Sequence, residues 1–241
     1  MYSRVFQFSS ASSLTSHCAA HLMKSLVDLQ DVQDTVHLCL TGGTIANELY
    51  ADFAALVPDS QLDPARLHLW WGDERFVPLT HPDRNSQQAL AILARTLPIS
   101  STNTHLMPAV DGKADPTEAA FAYATDLGDV TFDICLLGVG PDGHVASIFP
   151  GHPGFEASGT VVGITNAPKP PPERISLTLS KLNQSRSLWV IASGESKADA
   201  IRRGLDGDTT LPIGHVHGTE STLWWLDDGS AGGPPEGDAV L

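Results

Sequence analysis

The chain has 241 residues, 41% of them apolar and 17% charged, enough length and hydrophobicity to bury a substantial core and too much for a disordered polymer. Its formal net charge is -14, with Lys and Arg numbering only 14, which argues against a nucleic-acid backbone or an anionic membrane as partner but leaves room for a small anion in a local basic pocket. Cys18, Cys39 and Cys135 show no metal-ligand spacing or disulfide framework, the N-terminus lacks a signal pattern, and no apolar run reaches the ~20 residues of a membrane helix, so the expected compartment is the cytoplasm.

Leu14, Cys18, Leu22 and Leu26 recur at four-residue steps and predict a helix over residues 12–28. Val36–Leu40 reads as a buried strand, and Ile45, Leu49, Phe53 and Leu56 as the stripe of a second helix. Between them lies Thr41-Gly42-Gly43-Thr44. Such a turn offers helix N-terminal amides and Thr hydroxyls to a phosphate, although it lacks the Lys of a nucleotide P-loop and alone also fits an ordinary helix cap. Leu67–Trp71 is a third strand, followed by Gly72-Asp73-Glu74-Arg75-Phe76-Val77-Pro78. Asp73 and Glu74 suit hydroxyl binding or proton abstraction, and Arg75 suits a bidentate grip on phosphate or carboxylate; the plain alternative is a solvated charged turn.

Asn85 or Ser86 is a candidate cap for a helix striped by Ala89, Leu93 and Leu97 and ended by Pro98. A short strand is expected at residues 105–107, then a helix opened by Pro116 and closed by Gly128. Ile134–Leu137 is a buried strand that breaks into Gly138-Val139-Gly140-Pro141-Asp142-Gly143-His144. Ligands of open α/β sheets sit beyond the carboxyl ends of the strands, so Asp142 and His144 fall where a substrate would lie. A short helix is expected over Val145–Phe149.

The second half predicts a strand over Thr160–Ile164, a stiff Pro168–Pro172 stretch presenting Lys169, and a half-buried strand over Ile175–Leu179. Leu188–Ala192 is a buried strand running into Ser193-Gly194-Glu195-Ser196-Lys197 and a helix to Arg203, and Thr222–Leu226 is the last strand. Strands alternating with helices predict an α/β fold with a mostly parallel sheet and helices on both faces. Residues 1–228 are expected to form one domain and residues 229–241, rich in Gly, Pro and acid, a disordered tail.

Polar clusters at four strand ends describe a sugar-phosphate site better than a nucleotide site. The segments TGGT at Thr41–Thr44, GDERFVP at Gly72–Pro78, GVGPDGHVASIFPG at Gly138–Gly151, KPPPERISLTL at Lys169–Leu179 and GESK at Gly194–Lys197 occur in an order that resembles the 6-phosphogluconolactonases of the pentose phosphate pathway. The likeness spans nearly the whole chain, and the segment around Asp142 is its most specific part. Two places depart from the family pattern: Ile45-Ala46 stands where Ser/Thr-Pro is usual, and His81–Ser86 replaces the usual Ser-Asn-Tyr region.

The resemblance implies a three-layer α/β fold shared with glucosamine-6-phosphate deaminases and ribose-5-phosphate isomerases. It implies that His144 is the general base for water attack on a lactone carbonyl and that Asp142 orients it or contacts substrate. Backbone from Gly140 to Gly143 would stabilise the oxyanion. Arg75, Arg174, Lys197 and the amides of Thr41, Gly42, Gly43 and Thr44 would hold the 6-phosphate, and Asp73 or Glu74 would bind sugar hydroxyls or position Arg75. The implied partner is a small sugar-phosphate lactone, with no cofactor, metal, nucleic acid or membrane, in a monomer or homodimer. The alternatives are an aminosugar-phosphate isomerase/deaminase using Asp73 as base, and a non-catalytic sugar-phosphate sensor.

Overall fold

Strands buried on both faces must be apolar at every position, and this governs the centre of the molecule. A computed structural model describes residues 2–234. In chain order its elements are β1 (Tyr2–Phe8), α1 (Ala11–Gln30), β2 (Val36–Leu40), α2 (Thr44–Leu56), β3 (Leu67–Trp71), β4 (Asp73–Arg75), α3 (Asn85–Leu93), α4 (Pro116–Leu127), β5 (Ile134–Gly138), β6 (Val161–Ile164), β7 (Arg174–Leu177), α5 (Leu179–Leu182), β8 (Ser187–Ala192), α6 (Ala198–Leu205), β9 (Ser221–Asp227) and α7 (Asp228–Ala231).

The main sheet has strand order β1-β9-β8-β5-β2-β3, with all pairings parallel. Alternate residues of each central strand enter opposite cores. Leu38, Leu136, Trp189 and Trp225 pack with α1, α2 and α3 on one face. Cys39, Leu137, Val190 and Trp224 pack on the other with α4, α6 and residues Ile175 and Leu177 of β7. A small antiparallel sheet, β4-β7-β6, caps that second face. This is the expected three-layer α/β architecture. After β3 the chain reverses direction and places β5 on the far side of β2. The crevice opened at such a switch point is where ligands of these sheets bind. Here it lies between the Thr41–Thr44 turn and the Gly138–His144 loop.

Several expectations need correction. The charged run Asp73–Arg75 is a strand, because β7 offers it a partner in register Asp73↔Ser176, Glu74↔Ile175 and Arg75↔Arg174. Val145–Phe149 is not helical; it is a tight turn closed by a Val145–Ile148 bridge, with Ala146 at φ 49°. Residues 105–107 form no strand, and the chain touches the sheet there through a single Leu69–Thr104 bridge. The strand expected to reach Leu179 ends at Leu177 and is buried at all four positions, because Thr178 accepts the Lys181 amide and starts α5. β1 was not anticipated: it is an edge strand whose first four residues are exposed, so it lacks a buried strand's apolar pattern. Residues 229–231 of the expected tail belong to α7, whose start is fixed by a capping box between Asp227 and Ser230. Residues 235–241 of that tail lie outside the described residues. Among the described residues no helix is long and apolar enough to cross a membrane.

At the opposite, N-terminal edge of the strands, His37, His68 and His105 gather around Trp70. Trp70 Nε1 donates to His37 Nδ1 at 3.1 Å, and the rings of Trp70 and His105 stack with centroids 3.7 Å apart. Burial lowers the pKa of His37, helped by the neighbouring His68 and His105 and opposed by Asp133, and burial likewise lowers His68. A histidine whose folded pKa lies below its unfolded one leaves stability intact above the unfolded value. Stability is lost as pH falls through that value, because the unfolded chain takes up the proton first. The unfolding free energy measured in urea is therefore expected to drop between pH 7 and pH 5. In His37→Asn that drop should be shallower; an equal drop would show that His37 does not contribute.

Candidate active site

The cleft at the switch point has a volume of about 470 Å³ and is lined by residues from the ends of β2, β5 and β8 and from the small sheet. His144 lines it and is paired with Asp142. Gly140-Pro141-Asp142-Gly143 is a β-turn closed by the Gly143 amide donating to the Gly140 carbonyl at 2.9 Å, and the Gly140 amide donates to the His144 carbonyl at 2.9 Å. Proline second and glycine last suit this turn. It folds the Asp142 side chain back so that Oδ1 meets His144 Nδ1 at 2.5 Å. Only glycine fits at position 140, since a Cβ there would lie 1.9 Å from the His144 ring and 2.5 Å from the Asp142 carboxylate.

With Nδ1 held by the carboxylate, the imidazole keeps its hydrogen on Nδ1 and leaves Nε2 as a proton acceptor. His144 has a side chain 18% exposed, and its ring packs on Phe149 with centroids 4.7 Å apart. Burial pushes its pKa below the ordinary value; the hydrogen bond and charge of Asp142 oppose this, and the Lys169 ammonium adds to it. Burial alone would raise Asp142, but the bond from His144 and the charges of His144 and Lys169 hold it below the usual carboxylate value. Lys169 is the closest cation: its Nζ is 3.3 Å from Asp142 Oδ1 and 3.4 Å from His144 Nδ1.

One wall of the cleft presents donors that could hold an anion. α2 is capped at its N-terminus by Gly43, φ 107°, which has no side chain to accept a bond, so its first amides are not covered by a cap. Thr41 is fixed from both sides. Its backbone N–H and C=O are both bonded to the Tyr50 hydroxyl, at 3.0 and 2.7 Å, and its Oγ1 accepts the Gly138 amide at 3.2 Å. That last bond ties the end of β2 to the end of β5. Gly42 passes so close to Asn85 that a Cβ there would sit 1.9 Å from Asn85 Oδ1. Arg75 enters the cleft from β4; its Nη1 donates to the Asp83 carbonyl at 2.8 Å, while its buried Nε has no protein partner. Lys197 also lines the cleft. Burial, followed by Lys169, lowers its pKa, and Asp142 opposes the shift.

The structure therefore gathers Thr41, Gly42, Gly43, Thr44, Asp73, Arg75, Gly140, His144, Arg174 and Lys197 around one cleft, with Asp142 bonded to His144. Other assignments change. Glu74 is fully buried and turned away from the cleft: its carboxylate accepts the amides of Arg75, Asn85 and Ser86 and the Ser86 hydroxyl, and Arg84 Nε lies 3.6 Å from it. Burial pushes its pKa up, and its work is to cap α3, not to bind substrate. Gly143 is a turn residue at φ 79° packed on Leu211, outside the cleft lining. The amides of Gly140 and Gly143 are both engaged inside the loop, so neither is open to an oxyanion. Arg174 borders the cleft, yet its Nε and Nη2 donate to the carbonyls of Lys169, Pro170 and Pro171; much of the guanidinium holds the Lys169 loop in place.

Among the lining residues that the sequence reading does not place in the site are Lys169 and Asn85. Lys169 was visible only as a cation on a stiff proline stretch. Asn85 was read as a cap, whereas its Nδ2 donates to the Asp73 carbonyl at 2.9 Å and to Asp73 Oδ1 at 3.1 Å. Among the described residues no group of three or more His, Cys, Asp and Glu side chains is placed to hold a metal ion.

A family model described as glucosamine-6-phosphate isomerases/6-phosphogluconolactonase matches residues 9–225. A 6-phosphogluconolactonase of Streptomyces coelicolor is 42% identical over 228 residues, 88% of this chain and 87% of the relative. The crystal structure of 6-phosphogluconolactonase from Thermotoga maritima superposes with a TM-score of 0.82 at 24% identity, covering 93% and 99% of the two chains. A monomeric glucosamine-6-phosphate deaminase superposes at 0.79 with 19% identity, covering 95% and 99%. The chain belongs to the glucosamine-6-phosphate isomerase/6-phosphogluconolactonase family. Fold alone does not separate the two activities, since both structures superpose almost equally well.

If the imidazole of His144 must be neutral to act, activity falls as pH drops through its pKa, which burial places below the ordinary histidine value of about 6.5. Removing the Lys169 charge relieves repulsion of the imidazolium. The acid limb of the kcat/KM profile in Lys169→Met is therefore expected to move to higher pH than in the wild type. An unmoved limb would separate Lys169 from His144.

Proposed function

We propose that this chain hydrolyses 6-phospho-D-glucono-1,5-lactone to 6-phosphogluconate, in the oxidative branch of the pentose phosphate pathway, with His144 as general base. The observation that carries the reading is the pairing, in one cleft, of the Asp142-oriented His144 with an anion cradle built from the α2 N-terminus and Arg75.

His144 Nε2 takes a proton from water as its oxygen attacks the lactone carbonyl carbon. Asp142 stabilises the imidazolium through Nδ1. Negative charge develops on the former carbonyl oxygen, and the Lys169 ammonium beside the pair supplies the nearby positive charge. Collapse of the tetrahedral intermediate breaks the bond to the ring oxygen, which takes the proton back from His144 and leaves as a hydroxyl. The 6-phosphate rests on the amides of Gly43 and Thr44, on Arg75 and on Lys197, and Asp73 accepts sugar hydroxyls. A lactone is already an activated ester, so a base and positioning suffice without a covalent nucleophile. Every group invoked belongs to one chain, so a monomer suffices and a homodimer is compatible; a cytoplasmic location accompanies this reading.

The isomerase/deaminase alternative needs Asp73 free to abstract a carbon-bound proton. Here each oxygen of that carboxylate accepts one donor, from Asn85 and from Ser147, and keeps a lone pair for the cleft, so the two readings are separated by activity. Assayed side by side, the protein should accelerate loss of the lactone and release no ammonia from glucosamine 6-phosphate; the reverse pattern would overturn the assignment. Arg75→Ala should raise KM at least about tenfold with a smaller change in kcat, as loss of a charged contact made in both ground and transition states does. An unchanged KM would remove Arg75 from the phosphate site.

A further inference from the structure

Ser147 follows His144 by three residues but points the other way, into the protein, where it is fully buried. The left-handed backbone of Ala146, φ 49°, lies between them at the turn. Its hydroxyl donates to Asp73 Oδ2 at 2.7 Å, and its amide donates to Ser176 Oγ at 3.1 Å. Ser176 Oγ in turn donates to the Leu177 carbonyl at 2.9 Å, and the acceptor of the Ser147 hydroxyl is Asp73. On its other side Asp73 is held by Asn85 through both its carbonyl and Oδ1. Asp73 is only 6% exposed, and that exposure opens on the cleft.

A covalently short loop thus carries two functions on opposite faces. His144 faces the substrate, and Ser147 reaches from the same loop across to β4 of the small sheet. The main sheet and the small sheet meet at this site through a charge-assisted hydrogen bond, the kind that fixes geometry as well as adding energy. An acceptor for sugar hydroxyls is useful only at a set distance from the base, because a lactone held by its hydroxyls must present its carbonyl carbon to a water on His144.

We propose that Ser147 is a positioning residue: its hydrogen bond to Asp73 sets the spacing between the sugar-hydroxyl acceptor and the general base. This role rests on the lactonase reading above. The bond leaves the remaining lone pairs of Asp73 facing the cleft and holds the His144 loop against β4. Ser147 itself touches neither water nor substrate, and it is not a nucleophile, since its hydroxyl is turned from the cleft.

The test is a double-mutant cycle on lactone hydrolysis, with kcat and KM measured for the wild type, Ser147→Ala, Asp73→Asn and the double variant, and thermal melting used to verify folding. Ser147→Ala is expected to lower kcat/KM by about tenfold or more, the size of a hydrogen bond to a charged group. In the Asp73→Asn background the same change should cost less than about twofold, because the acceptor's charge is already gone. Equal losses in the two backgrounds, or no loss in either, would overturn the proposal. If Ser147→Ala does not fold, Ser147→Cys, close in volume and a far weaker donor, enters the same cycle with the same criteria. A wild type that does not hydrolyse the lactone overturns the functional reading and this role with it; an active wild type with additive losses overturns this role alone.

Discussion

The contact between the Asp142 carboxylate and His144 Nδ1 is the constraint on which the site depends. It fixes which imidazole nitrogen is left for chemistry. It exists because Gly140 has no Cβ, so that the Gly140–Gly143 turn brings the two side chains into the space above it. The turn stands at the end of β5, and β5 stands beside β2 because the chain reverses direction after β3. The Gly138 amide and Thr41 Oγ1 then join the two strand ends. A sheet topology, one hydrogen bond between strand ends and one missing methyl group place the candidate base next to the candidate anion cradle.

Electrostatics within the cleft run against the charge of the whole chain. The chain carries a net charge of -14, but solvent and salt damp exposed charges more than ~10 Å apart. Inside the cleft Arg75, Lys169, Arg174 and Lys197 are close enough to perturb one another: burial and Lys169 lower Lys197, and burial, followed on the lowering side by Arg75, lowers Arg174. Such mutual repulsion is relieved when a phosphate dianion enters. Burial, with the Lys169 ammonium adding to it and Asp142 and Asp73 opposing it, disfavours protonation of His144 and keeps the imidazole in its basic form at neutral pH.

What the sequence disclosed, and what it hid, follow from the range of the forces involved. β2, β3, β5, β8 and β9 were legible because burial on both faces demands unbroken apolar runs. The Thr41–Thr44 and Gly140–His144 motifs were legible because local backbone geometry demands glycine there. β4 was hidden, since three charged residues become a strand only when β7, about a hundred residues later, pairs with them. That omission misplaced Glu74. On a strand neighbouring side chains alternate, so Asp73 and Arg75 share the cleft face and Glu74 must face the other way, toward the start of α3. Asn85, Ser147 and Lys169 were hidden for the same reason: each acts through a partner distant in sequence, and no local pattern marks such a partner. The glycine amides were credited with an open anion site because composition does not reveal that a turn consumes its own donors.

The most direct test of the central claim is the rate at which freshly generated 6-phosphoglucono-1,5-lactone disappears at mildly acidic pH, where its spontaneous hydrolysis is slow, with the intact protein and with a folded His144→Gln variant. The account predicts strong acceleration by the wild type and a fall in kcat of about 10²–10⁴-fold in the variant, the range expected for loss of a general base. Undiminished turnover by the variant would contradict the role of His144, and no acceleration by the wild type would contradict the function itself.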